Sequence, residues 1–295
     1  MPINGNFDEH NITDAVIARL DGARTPRARQ VSETLVRHLH AFIREIEPTQ
    51  EEWEGGIAFL TACGKMCSDV RQKFILLSDA LGVSMLVDAI NHRLPGGATE
   101  TTVLGPFYLP EAPEVPLGTG ISAPGDGRPM LIEGSVNDVD GCPIAGAVVD
   151  IWHSDDAGFY DVQKDAVQRT SRARVRTDAH GNFWVIGAKP AAYPIPSDGP
   201  VGRMLAAQGR HAWRPAHVHF RIAALEHETL VTHLFLSDSQ YLDSDVVFGV
   251  KDSLVQQVVD AQPGVTRLGA RVEQSMAALS RDFVLARART QELPI

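Results

Sequence analysis

Residues 94–102, LPGGATETT, mark the point where the pattern of the chain changes. Upstream, Val31, Leu35, Leu39, Phe42 and Ile46 recur at spacings of four, four, three and four, which draws one apolar stripe along a helix. Pro48 ends that helix. Thr49 stands three residues before Glu52, the spacing of a capping box, and predicts a second helix with Trp53, Ile57, Leu60 and Cys67 on its apolar face. Val70, Phe74, Leu77 and Leu81 form a further face, and Met85 to Ile90 follow Gly82, so at least four helices are expected before residue 95. Downstream, short β-branched runs alternate with turn signals: MLIEGSV before DVDG, AVVDIW before HSDDAG, RVRT before DAHG, and HVHFRI. The helical period is not expected to return until residues 251–262, KDSLVQQVVDAQ, which read as a short late helix, and RDFVLARA reads as a closing strand. The fold class is therefore α+β, with a helical and linker domain over residues 1–100 and a β-sandwich domain carrying the late helix over residues 101–295.

Composition narrows the function. The 295 residues are 44% hydrophobic and 22% charged, the balance of a globular chain with a full core. Against 27 Lys and Arg stand 37 Asp and Glu, and a formal net charge of −10 has the wrong sign for a binder of phosphate backbones. No nucleic acid is expected as partner. Three cysteines, Cys63, Cys67 and Cys142, form no CxxC pair and point to neither a disulfide framework nor a zinc ribbon. The opening MPINGNFDEHNITD lacks the basic start and apolar run of a secretory signal, and no run of ~18 apolar residues occurs, so no membrane span and a cytoplasmic location are expected.

Among 11 histidines, His217 and His219 stand two apart in Arg214-Pro215-Ala216-His217-Val218-His219-Phe220. On a strand they share one face and present two imidazoles to a single metal, while Val218 points the other way. HxH alone is as readily two histidines hydrogen-bonded in a sheet. Glu226, seven residues on, does not match a cupin spacing, HExxH is absent, and VNDVDG lacks the acidic first position and the bidentate Glu of a calcium loop. Tyrosine is the better lead. Of four, Tyr160 lies in DDAGFYD and Tyr193 in KPAAYPIPSDGP, and a phenol of ordinary pKa about 10 becomes a phenolate beside a hard trivalent cation. Two other features read as structural: Arg169, Arg172, Arg174 and Arg176 as the wet face of a strand, and Cys63 with Cys67 as core packing.

Tyr160 in GFYD, Tyr193 before PIPSDGP, and RPAHVHF resemble, in order and spacing, the four-ligand signature of the intradiol ring-cleaving dioxygenases. TVLGPFYLP, GSVNDVDGCPIAGAVVDIWHSD, RTDAHGNF and YLDSDVVFGVKDSL extend the resemblance across roughly residues 50–255. It implies a non-haem Fe(III) cofactor bound by Tyr160, Tyr193, His217 and His219, with Tyr193 the ligand that leaves when substrate arrives and Arg214 the electrostatic residue beside the ring. It also implies that Leu76, Asp79, Val103, Gly105, Pro106, Phe107, Ile195, Pro196 and Val247 wall the pocket. The substrates implied are an aromatic ortho-diol and O2. TVLGPF, IPSDGPVG and LVTHLF are most like the branch that opens hydroxyquinol (benzene-1,2,4-triol) to 3-hydroxy-cis,cis-muconate or maleylacetate, with catechol and chlorocatechol cleavage as alternatives. His233 in LVTHLF stands where the catechol branch would have glutamine, and its role is left open. The apolar helical surface of residues 1–100 is expected to form a homodimer, and the resemblance implies a phospholipid at that interface. Two rivals remain: a metal-free β-sandwich binding module with a helical oligomerisation arm, and an Fe(II) extradiol site built from His217, His219 and Glu226.

Overall fold

The computed structural model describes residues 6–68, 71–94, 96–164 and 169–288, which form two compact units, residues 1–62 and 63–295. The helices are α1 (Ile12–Ala18), α2 (Pro26–Ile46), α3 (Gln50–Lys65), α4 (Lys73–Ala80), α5 (Val83–Asn91) and α6 (Pro200–Ala207). The strands are β1 (Pro129–Asp138), β2 (Val148–His153), β3 (Arg172–Arg176), β4 (Asn182–Ala188), β5 (Tyr193–Pro194), β6 (Trp213–Arg214), β7 (His217–Ala223), β8 (Leu230–Leu236), β9 (Val255–Gln256), β10 (Val259–Ala261), β11 (Gly264–Val265), β12 (Arg271–Val272) and β13 (Met276–Leu285). Helices followed by a mostly β region are the α+β arrangement the sequence implies. The closing strand is present as β13. Among the described residues no single helix is long and apolar enough to cross a membrane.

Local chemistry sets the helix ends. The Thr25 hydroxyl accepts the Ala28 amide at 3.0 Å with Pro26 in the first turn, and α2 stops where Glu47 turns left-handed (φ 45°) before Pro48. The capping box at α3 forms in both directions, Thr49 N to Glu52 Oε2 at 2.8 Å and Glu52 N to Thr49 Oγ1 at 3.2 Å. The α2 stripe of Val31, Leu35, Leu39, Phe42 and Ile46 stands exposed. Val70, assigned above to a helical face, lies outside the described residues.

A four-stranded sheet, β10-β13-β1-β4, faces a five-stranded sheet, β3-β2-β7-β8-β9. The core between them takes Met130, Ile132, Phe183, Val185, Leu279 and Phe283 from the first and Val149, Ile151, Val175, Val218, Phe220 and Ile222 from the second. Phe183, Phe220 and Phe283 meet at centroid distances of 4.9 to 6.2 Å. Alternation then leaves the outer face of the five-stranded sheet to Arg172, Arg174, Asp150, Trp152, His217, His219, His233 and Phe235.

Two expectations fail. Residues 251–262 are not a helix: after one turn of 3₁₀ helix at Asp252–Leu254, Val255 pairs with Phe235 at the edge of one sheet and Val259 with Ala278 at the edge of the other. A helix there would surrender ladder positions on both sheets, and β-branched Val255, Val258 and Val259 favour the extended form. The helical period also returns earlier than expected, as α6, which is too short to draw a stripe in sequence but has Pro200 at its first turn. Gly202 there has no room for a side chain, since a Cβ would lie 1.9 Å from the Ser197 carbonyl oxygen.

Phe220 joins the two sheets on the core side of the histidine strand. Phe220→Ala is expected to cost about 3–5 kcal/mol, read as a lowered urea midpoint with an unchanged denaturant slope.

Candidate metal centre and substrate cleft

Four oxygen and nitrogen donors converge on the outer face of the five-stranded sheet. Tyr160 Oη lies 2.9 Å from His219 Nε2, 3.3 Å from His217 Nε2 and 3.4 Å from Tyr193 Oη, and the two Nε2 atoms are 3.1 Å apart. All four side chains are buried. β7 presents both histidines to this point, as period two requires. Tyr193 arrives on β5, whose ladder pairs it directly with Arg214 on β6. Tyr160 comes from the loop after β2, held over the sheet by Phe107 stacked at 4.4 Å, and Trp152 stacks on His219 at 4.7 Å and 15°.

The electrostatics suit a cation. Burial, and then the neighbouring Tyr193, push the Tyr160 phenol well above its ordinary pKa. Burial, and then Arg214, push His217 down to about 3, and burial with the adjacent His233 and His217 holds His219 well below its usual range. His217 Nδ1 is 2.7 Å from the Pro215 carbonyl, to which it donates, so its Nε2 carries the lone pair, which faces Tyr160 Oη, His219 Nε2 and Arg214 Nη1. Neutral imidazoles and a phenol that ionises only beside positive charge are the donor state a metal requires. Donors 2.9–3.4 Å apart match ligands sharing one ion through bonds of about 2 Å. The donor set therefore fits a metal ion.

His217, His219 and His233 also form a three-histidine cluster with ligand atoms within 4.8 Å of one another. His233 sits opposite His219 in the β7–β8 register, its Nδ1 2.9 Å from the Thr102 hydroxyl and its Nε2 without a hydrogen-bond partner among the described residues. Its ring packs at a right angle to His219 with centroids 4.2 Å apart, and it does not line the cleft. Glu226 is exposed in the β7–β8 turn at φ 63°, at the other end of the hairpin from His217, and joins no metal cluster among the described residues.

A cleft opens beside Tyr193 and Arg214. Leu76, Asp79, Val103, Gly105, Pro106, Phe107, Ile195, Pro196 and Val247 all line it, so the structure brings together every pocket residue that the family resemblance implied. Asp79 is buried, and that burial raises its pKa against the opposing hydrogen bond from Ser84. Gly105 lies so close to His219 that a Cβ would stand 3.1 Å from the imidazole Cε1.

Several supporting residues escaped the sequence reading. The arginine run is not a wet face: Arg172 is buried and paired with Asp161, the residue after Tyr160, while also donating to the Phe107 carbonyl at 3.0 Å. Arg174 is half-buried against Asp150, and Arg176 alone of the strand's arginines is exposed. The outer face of this sheet is roofed by loops, which the alternation of one strand cannot reveal. Asp245 grips Arg214, and Lys73 is buried with its ammonium donating to the Pro196 carbonyl at 2.8 Å.

The chain matches the family model described as "Dioxygenase" over residues 104–287 and the one described as "Catechol dioxygenase N terminus" over residues 25–99. It is 48% identical over 289 residues to the hydroxyquinol 1,2-dioxygenase of Rhizobium sp. (strain MTP-10005), covering 96% of this chain and 97% of that protein. It is 49% identical over 263 residues to the 6-chlorohydroxyquinol 1,2-dioxygenase of Cupriavidus pinatubonensis, covering 89% and 95%. The crystal structure of hydroxyquinol 1,2-dioxygenase from Pseudomonas putida DLL-E4 superposes with a TM-score of 0.90 at 48% identity, over 95% of this chain and 99% of that one.

Metal analysis of purified variants separates the two overlapping clusters. His217→Ala is expected to abolish stoichiometric metal uptake, whereas His233→Ala keeps it, because His233 packs behind His219 and away from the phenol oxygens. Loss of metal in both would make the three-histidine cluster the site.

Proposed function

The chain belongs to the intradiol ring-cleaving dioxygenase family, and we propose that it opens benzene-1,2,4-triol with O2 between the adjacent hydroxylated carbons, giving 3-hydroxy-cis,cis-muconate, the enol form of maleylacetate. The cofactor in this reading is non-haem Fe(III), held by Tyr160, Tyr193, His217 and His219, because two phenolate oxygens suit a hard ferric ion better than a softer divalent one. The observation that carries it is the convergence of these four buried donors at the end of a cleft in which Asp79 is the one carboxylate among the described lining residues. The relatives' hydroxyquinol and chlorohydroxyquinol activities support the same substrate.

When bound, the ferric ion supplies Lewis acidity and a redox-active centre to the ortho-diol and O2. The protein's own groups do the rest. Tyr193 Oη, 3.4 Å from Tyr160 Oη and on the cleft wall, takes a proton from one substrate hydroxyl and its side chain swings aside. Arg214 presents a permanent positive charge where negative charge develops on the ring, an effect of a few kcal/mol in a dry pocket. Leu76, Val103, Pro106, Phe107, Ile195 and Val247 hold the ring plane and exclude water. Asp79 accepts the hydrogen bond of the third hydroxyl, and with a ring lacking that group its desolvation goes uncompensated. In the same reading the exposed α2 stripe pairs with a second copy of the chain.

Phenolate-to-iron(III) charge transfer absorbs visible light, so the purified holoprotein is expected to be red to burgundy. Tyr160→Phe should weaken iron retention and move the band. Tyr241→Phe, whose ring stacks on Trp213 instead, should leave the band in place. A fully iron-loaded but colourless protein rules out the ferric–phenolate site.

Substrate choice is tested by comparing kcat/KM for the triol, catechol and 4-chlorocatechol. The parent should favour the triol, by up to about 10⁴-fold in the limit set by an unpaired polar group, and Asp79→Ala should lose that preference while still cleaving catechol. Equal parent efficiency on catechol and the triol would move the chain to the broader catechol enzymes.

A further inference from the structure

The geometry points to Asp245 as the positioning residue for the Arg214 guanidinium, and through it for the charge presented to the reacting ring. The assignment rests on the function proposed above. Arg214 Nε donates to Asp245 Oδ1 at 3.0 Å and Nη2 to Oδ2 at 3.1 Å, a side-on bidentate pair with both side chains buried. That grip uses the two nitrogens on one edge of the fork. Nη1 is left outside that grip and points to the donor set, 3.3 Å from His217 Nε2, and Arg214 lines the cleft.

The carboxylate is itself fixed. The backbone amides of Val247 and Gly249 donate to its two oxygens at 3.3 and 3.0 Å, so each oxygen receives one arginine and one main-chain hydrogen bond. Residues 245–249 thus close a tight loop around the carboxylate, and the same loop places Val247 in the cleft wall. Gly249 has no spare room: a Cβ would lie 2.9 Å from Arg214 Nη2 and 3.1 Å from Asp245 Oδ2. The arrangement satisfies both buried charges and, because it is bidentate, also fixes the plane of the guanidinium. A lone arginine in this pocket would be free to turn its long side chain, and a trivalent cation among the donors would repel it. Anchoring Nε and Nη2 from the far side resists that repulsion and leaves the aim of Nη1 unchanged.

The test uses the iron-loaded protein and four variants: Asp245→Asn, Arg214→Ala, the double variant, and Gly249→Ala. Elemental iron, the visible band, and the Kd of 4-nitrocatechol from spectral titration report on the site without turnover. In Asp245→Asn all three should stay within about threefold of the parent, while kcat on the triol falls about 10²-fold with KM little changed, the cost of a misplaced charge. In the Arg214→Ala background Asp245→Asn should cost nothing further, because its effect acts only through the arginine. Gly249→Ala keeps both charges and displaces the guanidinium, so it should also lower kcat with iron and colour retained. It decides the matter if Asp245→Asn fails to fold. Full kcat in both Asp245→Asn and Gly249→Ala, multiplied losses in the double variant, or loss of iron from both Asp245→Asn and Gly249→Ala would overturn the assignment. A parent that shows neither the visible band nor ring cleavage overturns the functional reading beneath it, an outcome distinct from a coloured, active parent with an indifferent Asp245.

Discussion

Alternation along β7 sends Val218, Phe220 and Ile222 into the core between the sheets and His217 and His219 out of the opposite face. Each apolar side chain buried on the core side stabilises the fold by roughly 1.5–3 kcal/mol, which fixes the register and, with it, the direction of both imidazoles. A slip of one residue would put two histidines in the core and Val218 among the phenols. The neighbours tighten the arrangement: β2 contributes Trp152 to stack on one imidazole, and β8 sets His233 against it from the other strand. The direction of the two imidazole donors therefore follows from hydrophobic packing on the opposite face of the same strand.

Charge on the outer face is handled in closed pairs. Arg214 carries Asp245 and Arg172 carries Asp161, all four buried. Burial opposes the charge on Arg214, but Asp245 outweighs it and holds the guanidinium above its ordinary pKa, while the same arginine holds Asp245 below its own against the effect of burial. Removing one member of such a pair strands the other, a loss of about 3–5 kcal/mol. Each pair is neutral as a whole, so neither changes the net charge of the pocket, while Arg214 still turns the positive Nη1 edge of its fork toward His217 Nε2. The burden of matching a cation then falls on Tyr160 and Tyr193, whose phenol oxygens are the acidic groups among the converging donors. The Arg172–Asp161 pair adds a mechanical function, since it ties the residue after Tyr160 to β3 and to the Phe107 carbonyl.

These relations explain which parts of the molecule could be read from the chain. The helices before residue 95, the paired runs of the sandwich and the His217–His219 face follow from periodicity and capping within a few residues of each other, and such local signals survive folding. Asp245, Asp161 and Lys73 gave no comparable signal. Their partners lie 31, 11 and 123 residues away, at Arg214, Arg172 and Pro196, and nothing in a single strand or helix announces the pairing. The misread late segment has the same origin. KDSLVQQVVDAQ has helical composition at several positions, but its backbone is claimed by sheet edges formed by Phe235 and Ala278, both remote in sequence. For Tyr160 and Tyr193, spacing alone would have left two half-buried rings, and it was the resemblance across GFYD, YPIPSDGP and RPAHVHF that joined them to the histidines.

The two walls of the cleft tolerate change differently. β7 is packed on both faces, so altering a residue there disturbs core and donors together. α4 is eight residues long and gives the cleft Lys73, Leu76 and Asp79, at intervals of three, along one stripe. Lys73 Nζ donates to the Pro196 carbonyl at 2.8 Å and Asp198 Oδ1 at 3.3 Å, which locks the helix to the strap that follows Tyr193. Once that tether sets its position, the side chains at 76 and 79 reach the cleft without touching the sheet core. Neither residue is one of the four converging donors, so each can change the chemistry of the cleft wall without removing a donor. In the proposed function the physical division is thus between a strand that carries the two histidine donors and a short tethered helix that faces the ring substituent, and the expected selection by Asp79 follows from that division.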